Sequence, residues 1–446
     1  MTALQTRTDA EVERSTQALR EAGTQLLLGS VTDLAGVTRG KYVPLDRVPA
    51  FHRSGMGASP SWSVFCVDSG IAFTPELGVV GDLRIRVDPT QARPVEDGVA
   101  WAPGEFYEQD GTPSSMCTRG ALARQAARAA DLGLSVLVGA ELECTVLAPD
   151  GSHSTTSPWS PYSVRTSLAH AGLLREVTAR FAAAGLPIEQ LHDEYGHDQL
   201  ELSLPPLPPV EAADAVVLAR ILLSRAAESQ GLRISFSPVP FAGEAGNGAH
   251  LHLSLADEEG PLLAGGDGPH GMREAGQHAV AGLVDSLPEL LALHAGSVLS
   301  PVRLQPGNWA GAAACWGLEN REAAVRLLGA TQGNPHGANV ELKVVDPSTN
   351  PYLAVATMLG AALDGIEEKT ELPAEVTDAP DGATLPPLPT TQRDALAALD
   401  GSARARRLLG DGIVGGVLAV RTYEADTFGE RPVADVAEAL RLAWTC

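Results

Sequence analysis

The segment Gly139-Ala140-Glu141-Leu142-Glu143 sets two carboxylates two positions apart within an apolar run. In a β-strand, residues i and i+2 point to the same face, so Glu141 and Glu143 share a face while Leu142 points into apolar packing on the other. A charge on the inner face of a sheet persists only when it is paired or bound to a metal ion. This segment therefore predicts a strand whose inner face belongs to a charged site.

Three more segments repeat the pattern of charged residues at alternate positions. They are His192-Asp193-Glu194 continuing to Glu201, Gly246-Asn247-Gly248-Ala249-His250-Leu251-His252, and Asn339-Val340-Glu341-Leu342-Lys343. One acidic pair alone is more typical of a solvated strand face. Four such segments in one chain, each flanked by hydrophobic strand residues, favour a single metal site.

The types of side chain narrow the choice of metal. Carboxylate oxygens with one imidazole suit Mg²⁺ or Mn²⁺ better than metals that prefer thiolate ligands. No cysteine lies in a Cys-x-x-Cys pair, so a structural zinc site is not expected. Because one Mg²⁺ usually takes only one or two carboxylates, the acidic residues predict two or three ions bridged by a phosphate-bearing substrate.

The composition of the chain excludes several classes of function. Its 446 residues, 44% of them hydrophobic, allow a large core and more than one domain. A net charge of −23 argues against binding nucleic acid or an anionic membrane through a basic surface. The segment 1–20 lacks the apolar core of a signal peptide, and no apolar stretch is long enough to cross a membrane. With five scattered cysteines, we expect a reduced, cytoplasmic protein.

Hydrophobic periodicity and turn residues predict the secondary structure. In the amino-terminal part we expect a helix at 9–22, strands at 26–33, 40–43, 62–67 and 82–88, and an irregular domain boundary at 89–115. Beyond it we expect helices at 119–132, 165–184, 210–231, 271–295 and 351–367, with strands at 134–147, 187–204, 233–238, 249–255 and 339–345. This alternation predicts an α/β catalytic domain with inward-facing strand residues.

These segments, in this order, resemble the class I glutamine synthetase superfamily over nearly the whole chain. The resemblance implies an α+β fold, with an N-terminal β-grasp-like domain at 1–110 and a glutamine-synthetase catalytic domain, a split α/β barrel, at 111–446. It also implies ATP and Mg²⁺ or Mn²⁺ as cofactors. Six positions match the family's metal ligands: Glu141, Glu143, Glu194, Glu201, His250 and Glu341.

Further positions match the family's substrate and nucleotide contacts. Gly246 and Gly248 lie in the loop that holds the backbone of the substrate amino acid, and His252 and Ser254 match positions near the nucleotide. Within the second metal-binding segment, Asp198 stands where glycine is common.

Three arginines complete the resemblance. Arg303 matches the arginine that grips the α-carboxylate of glutamate, a task suited to the guanidinium fork. Arg321 and Arg326 match the arginines that face the ATP phosphates. Their five-residue gap is not a same-face helical spacing, so a loop running into a strand is favoured over a helix at 318–328. The alternative is a segment of surface ion pairs.

Two departures from the family concern the amine. Glutamine synthetases hold ammonium with two carboxylates, one in a latch segment and one, a glutamate, in a mobile flap. Here the latch segment, Gly57 to Trp62, has Ser59 and no carboxylate. Trp309 stands at the position of the flap glutamate. An indole favours an amine with a carbon body. The sequence therefore resembles the γ-glutamyl-amine ligase branch, with Ser59, Trp62 and Trp309 as amine-site residues, and most of all γ-glutamylethanolamide synthetases.

Other departures affect the acid and the nucleotide. Lys343 replaces an arginine that contacts the glutamate side chain or the transferring phosphate, and it keeps the charge without the fork. Asn339 and His336 replace basic residues near the nucleotide. Because Trp309 cannot deprotonate the amine, another base is needed, and Glu319, Asp68 and His197 qualify by residue type alone.

The expected reaction is a two-step ligation. ATP phosphorylates the γ-carboxylate of glutamate, and a small amine, ethanolamine by resemblance, then displaces phosphate. Arg303, Arg321, Arg326 and Lys343 are the expected catalytic residues. Three alternatives stay open: an ammonium-using glutamine synthetase, a polyamine- or alkylamine-specific ligase, and a catalytically silent homologue. The resemblance further implies a ring-type homo-oligomer, a dodecamer, in which segment 53–62 completes the neighbour's site.

Overall fold

The computed structural model describes residues 4, 7–156, 158–334, 337–382 and 384–444, so His336 lies outside it. The helices are α1 Asp9–Glu21, α2 Val48–Arg53, α3 Thr118–Asp131, α4 Val164–Ala169, α5 Ala171–Ala184, α6 Pro209–Ser229, α7 Glu274–His294, α8 Ser300–Arg303, α9 Pro351–Glu368, α10 Gln392–Asp400, α11 Ala403–Leu409, α12 Asp411–Phe428 and α13 Val433–Leu440. None of these is long and apolar enough to cross a membrane.

The strands form two separate sheets, which confirms the predicted α+β class. The strands are β1 Leu26–Thr32, β2 Thr38–Pro44, β3 Met56–Ala58, β4 Leu83–Val87, β5 Arg93–Glu96, β6 Val99–Tyr107, β7 Ser135–Leu147, β8 Gln190–Asp193, β9 Gln199–Leu207, β10 Arg233–Ser235, β11 Leu251–Asp257, β12 Gly260–Pro261, β13 Ala313–Leu318, β14 Ala323–Leu328 and β15 Asn339–Leu342. Strands β1–β6 make one sheet and β7–β15 the other. The domain boundary at 110/111 stays a prediction.

The first sheet has the order β2-β1-β6-β4-β3, with β5 paired to β6. Its β1–β6 pair is parallel and the other pairs are antiparallel. The segment 89–115, expected to be a domain boundary, is not irregular throughout, because β6 runs through it as a central strand with all but its first residue buried. A strand buried on both faces shows no alternation, and the prolines and glycine of the segment obscured it further.

The predicted strand at 62–67 is also wrong. A short 3₁₀-helix covers Pro60–Val64 instead. Pro60 presets the helical φ at its first position, and the Ser59 side chain accepts a hydrogen bond from the Ser61 backbone. These local capping interactions outweigh the β-propensity of the residues that follow.

The second sheet has the order β13-β14-β15-β11-β7-β9-β8. Helices α3, α6, α7 and α9 contact one another and cover it, and nearly all of α9 is buried among apolar side chains. Two predicted elements are interrupted: His170 separates α4 from α5, and a turn at 194–198 separates β8 from β9. The predicted loop-to-strand arrangement of Arg321 and Arg326 is confirmed, since Arg321 lies on a turn and Arg326 on β14.

Gly104 tests the packing of the first sheet. A Cβ there would lie 2.8 Å from the Ser30 carbonyl oxygen and 2.9 Å from Ile85 Cγ2. We expect Gly104→Ala to lower the free energy of unfolding by about 1–3 kcal/mol, because the neighbouring strands must move apart. Gly415→Ala on α12 is the control, since a Cβ there meets no atom within 4 Å. Denaturant unfolding of both variants measures the difference, and equal stabilities would contradict the close packing.

Candidate active site

One cluster of possible ligands lies where β7, β11 and β15 run side by side. His250 precedes β11, and its Nδ1 lies 3.2 Å from Glu141 Oε2 and 3.2 Å from Glu341 Oε1. The Glu141 backbone donates to the His250 carbonyl, which fixes the relative height of the two residues. The three donor atoms lie close enough to share one ion.

A second cluster consists of His192 on β8, Glu194 on the turn that follows it and Glu201 on β9. His192 Nε2 is 3.0 Å from Glu194 Oε1 and 3.8 Å from Glu201 Oε1. Sequence analysis missed His192 as a candidate ligand, although it stands two positions before Glu194 and the alternation rule would have placed both on one face.

Glu143 joins the two clusters. It lies opposite Glu201 in the β7–β9 register, and His250 Nε2 is 3.9 Å from its Oε1. Its Oε2 accepts hydrogen bonds from the Gly248 backbone at 2.8 Å and from Gln199 Nε2 at 2.7 Å. The structure thus brings all six predicted metal ligands together.

The site holds more negative charge than its cations balance. Burial raises the pKa of Glu201 to about 10, and the charges of Glu141, Glu143 and Glu194 contribute further. Glu201 therefore favours its protonated form when no cation is bound. The donor set of carboxylates and imidazoles, with a carboxyl group held protonated by its neighbours, fits a divalent cation of the Mg²⁺ or Mn²⁺ kind.

Glu341 behaves in the opposite way. Burial would raise its pKa, but the Lys343 and histidine charges outweigh burial and lower the pKa to about 2. Lys343 Nζ and Arg326 Nη1 each lie 3.1 Å from its carboxylate. Arg326 Nη2 also pairs with Glu319 at 2.7 Å. Lys343 and Arg326 therefore converge on one side of the cluster.

Arg321 is not brought into these contacts. It is exposed on the turn between β13 and β14, and it takes no part in the described ion pairs. Its predicted role toward the ATP phosphates stays a prediction.

Arg303 and two glycines pack closely together beside the ligands. Arg303 is buried, and its guanidinium donates to the carbonyl oxygens of Val344 and Lys343. A Cβ on Gly248 would lie 2.7 Å from Arg303 Nη2, and one on Gly246 would lie 2.3 Å from a backbone oxygen. Glycine is therefore required at both positions, because the backbone there packs directly against Arg303 and against a backbone carbonyl.

The residues predicted near the nucleotide border the first cluster. His252 Nδ1 is 2.8 Å from Asn339 Oδ1, and its Nε2 is 3.4 Å from Glu141 Oε1. Ser254 Oγ donates to the Ala338 carbonyl at 3.4 Å. His252 thus links Asn339 to a possible metal ligand.

Trp309 is 57% exposed and has a left-handed backbone with φ of 54°. Its backbone N–H donates to Glu322 Oε1 at 3.0 Å, and that of Gly307 donates to Glu322 Oε2 at 3.3 Å. Asn308 Nδ2 donates to the Arg303 carbonyl at 3.2 Å. The loop that carries the indole is thereby tied both to Glu322 and to Arg303.

Ser59 and Trp62 are not joined to the cluster within the single chain. Ser59 accepts from the Ser61 backbone and hydroxyl, and Trp62 packs on the first sheet with Lys41 Nζ 5.1 Å from its ring. All their described contacts lie in the amino-terminal part. Their predicted role at an amine site stays a prediction that requires a neighbouring subunit.

Tyr162 is a site residue that sequence analysis missed. Its hydroxyl donates to Glu194 Oε2 at 2.7 Å, although the side chain is 55% exposed. The residue lies in an irregular segment without periodicity, so no sequence signal pointed to it.

The three candidate bases have different surroundings. Glu319 reaches the cluster through Arg326. Asp68 bonds to the Gly70 backbone and to Tyr423, and His197 stacks on another histidine. Of the three, Glu319 alone has a described link to the carboxylate cluster.

Comparison with known proteins identifies the family. The glutamine synthetase catalytic domain matches residues 115–438. The chain belongs to the glutamine synthetase family. It is 37% identical over 436 residues to γ-glutamylpolyamine synthetase GlnA3 of Streptomyces coelicolor, with 93% of each chain covered. It is 32% identical to γ-glutamylethanolamide synthetase GlnA4 of the same organism, over 78% of this chain and 76% of that one.

Solved structures agree with this assignment. A novel glutamine synthase homologue aligns with a TM-score of 0.87 and 32% identity, covering 94% of this chain and 99% of that one. The predicted glutamine synthetase fold and the resemblance to the γ-glutamyl-amine ligase branch are thus confirmed. The protein is an ATP-dependent ligase of a family that uses divalent metals.

Glu201→Gln tests the metal assignment. Because the fold favours a protonated Glu201, the neutral amide should change the thermal midpoint of the metal-free protein little. In the wild type, Mn²⁺ at a hundred times its Kd should add about 2.7 kcal/mol of stability. We expect the variant to lose most of this gain in thermal unfolding with and without Mn²⁺. Glu13→Gln, on the exposed face of α1, is the control, and a full gain in Glu201→Gln would exclude Glu201 as a ligand.

Proposed function

We propose that the protein joins the γ-carboxylate of glutamate to an organic primary amine at the expense of ATP. The observation that carries this proposal is the exposed Trp309 on a loop bonded to the backbone of Arg303. An aromatic ring stands where ammonium-using relatives need a carboxylate. The retained carboxylates and arginines argue against a silent homologue, since a cluster of buried charges is costly to keep.

The metal ions would be held by the two clusters. Glu141, His250 and Glu341 form one ligand set, and His192, Glu194 and Glu201 form the other, with Glu143 between them. Two or three ions of the Mg²⁺ or Mn²⁺ kind would neutralise negative charge on the ATP phosphates.

The chain's own residues would position the reactants. The Arg303 fork would receive the α-carboxylate of glutamate, and the backbone at Gly246 and Gly248, which packs against Arg303, would lie beside it. Arg326 and Lys343 would face the transferring phosphoryl group. Transfer breaks the bond to the γ-phosphorus of ATP and forms an acyl phosphate, whose carbonyl is then attacked by the amine as phosphate leaves.

The amine must lose a proton before it attacks. A primary amine with a pKa of about 10.4 is mostly protonated at neutral pH. We assign this task to Glu319, whose contact with Arg326 brings it nearest to the cluster among the three candidates. Tyr162 and Trp309 would supply the apolar and hydrogen-bonding walls for the carbon body of the amine.

The class of amine is the finer part of the proposal. Sequence analysis favoured ethanolamine, and that identity is not confirmed. Identity and coverage are both higher for the polyamine-specific relative than for the ethanolamide-forming one. A polyamine therefore takes precedence over ethanolamine as the substrate to test. A chain with a net charge of −23 also attracts polycations at long range.

We further propose a ring-type homo-oligomer. Segment 53–62 would complete the site of a neighbouring subunit, which accounts for the distance of Ser59 and Trp62 from the cluster of their own chain. Light scattering of the purified protein gives the subunit number.

Phosphate release with glutamate and ATP tests the function. We expect turnover with one organic amine among spermine, putrescine, ethanolamine and methylamine, and little with ammonium. Trp309→Glu should raise the ratio of kcat/KM for ammonium to that for the organic amine by about tenfold, because it restores a carboxylate. Trp309→Phe is the control and should keep the amine preference. A wild type that prefers ammonium would make the protein a divergent glutamine synthetase.

Glu322→Ala tests the loop that carries Trp309. Removal of both carboxylate oxygens frees the N–H groups of Gly307 and Trp309, so the indole loses its fixed position. We expect the KM for the amine to rise about fivefold while the KM for glutamate stays within a factor of two, because misplaced contacts weaken only the amine side. Glu258→Ala, exposed beyond β11, serves as the control. Equal changes in both KM values would contradict a role specific to the amine.

A further inference from the structure

Asp198 stands at an unusual backbone position next to the second ligand cluster. Its φ is 58°, in the left-handed region that favours glycine, and the residue is fully buried. A buried carboxylate in this conformation is unfavourable unless its oxygens are bonded. Its contacts therefore indicate what the residue does for the fold.

Both oxygens of Asp198 bind one segment of the chain. Oδ2 accepts hydrogen bonds from the backbone N–H groups of Ser154 at 2.7 Å and Thr155 at 3.1 Å. Oδ1 accepts from Thr155 Oγ1 at 2.8 Å and lies 3.3 Å from His170 Nε2. Burial alone would raise the pKa of Asp198, but these donors lower it to about 2, so the carboxylate is ionised.

Segment 154–170, of which the structure describes 154–156 and 158–170, is fixed at its far end as well. His170 Nδ1 lies 3.0 Å from Asp193 Oδ1, beside Glu194 in sequence. Between the two anchors, Tyr162 extends back to the site and donates to Glu194 Oε2 at 2.7 Å. The position of the Tyr162 hydroxyl thus depends on a segment that Asp198 holds in place.

The backbone of Asp198 is fixed from the opposite side. Its carbonyl accepts from the Val146 N–H at 2.8 Å. The next residue, Gln199, donates through Nε2 to Glu143 Oε2 at 2.7 Å. Asp198 therefore lies between contacts to two carboxylates of the candidate metal site, Glu143 and Glu194.

The neighbouring histidines suggest another role for Asp198, as a metal ligand with His153 and His197. Their rings are stacked, however, with centroids 4.1 Å apart and an interplanar angle of 12°. Ring lone pairs lie in the ring planes, so two parallel planes do not converge on one ion. Asp198 Oδ2 is also already bonded to two N–H groups. This geometry favours an anchor over a second metal centre.

We propose that Asp198 is a positioning residue that anchors segment 154–170 and thereby holds Glu194 in place for the metal. The inference rests on the proposed function in that it takes Glu194 as a metal ligand. By this inference, a residue that is not itself a metal ligand contributes to the affinity of the site for the metal ion.

Asp198→Gly is the decisive variant, because glycine accepts the left-handed backbone and removes only the carboxylate. Asp198→Asn should act as a rescue, since asparagine tolerates this conformation and keeps one acceptor oxygen. Thr155→Val removes the hydroxyl that donates to Oδ1 and also contacts His197 Nε2, and it covers the case in which Asp198→Gly fails to fold. Asp150→Gly is the control, because Asp150 is exposed and binds only Ser152 in the same segment.

Two measurements on the full chain separate the outcomes. Hydrogen exchange of 154–170 should accelerate in Asp198→Gly and, less, in Thr155→Val. The Kd for Mn²⁺, measured without substrates, should rise about tenfold in Asp198→Gly and stay near the wild-type value in Asp198→Asn and Asp150→Gly.

Faster exchange with an unchanged Mn²⁺ affinity would reduce Asp198 to a structural role and overturn the inference. Unchanged exchange in Asp198→Gly would overturn the anchor itself. A wild type that binds no Mn²⁺ would overturn the proposed metal site, and this result is distinct from the other two because it appears before any variant is compared.

Discussion

Repulsion among five glutamates, four on strands and Glu194 on the turn between β8 and β9, is the constraint on which this structure depends. The strand register places four of these carboxylates. Lys343 and Arg326 pair with Glu341, and the imidazole of His250 lies between Glu141 and Glu341. One carboxyl group stays protonated even so. The apolar layer of helices behind the sheet keeps these charges closer together than their mutual repulsion would allow in solution.

The sequence predicted those parts of the molecule in which side-chain period and burial agree. The alternation around Glu141 and Glu341 identified the strands and placed these carboxylates on one face, because a strand with one polar face keeps its period of two. The same rule failed for β6, which is buried on both sides, and at Pro60–Val64, where a proline and a serine cap determine the backbone. The sequence could not predict Tyr162 as a site residue, since its position depends on contacts distant in sequence.

The two halves of the proposed reaction are supported by different kinds of structure. The residues expected to contact glutamate and phosphate lie on strands or in closely packed segments. At Gly246 and Gly248 the packing leaves no room for a side chain. The proposed amine side consists of loop residues, with Trp309 and Tyr162 both more than half exposed. Loops tolerate substitution better than packed strands. This difference explains how related chains keep one acid and diverge in the amine.

Four non-glycine residues with left-handed backbone, Tyr162, Asp198, Trp309 and Glu319, border the site. Each stores conformational strain that glycine would relieve. Efforts to make this protein more heat-tolerant by replacing strained residues would therefore select positions next to the candidate active site. In directed evolution, thermal robustness and amine selectivity would compete here, and gains in one are best sought on the helices far from the sheet.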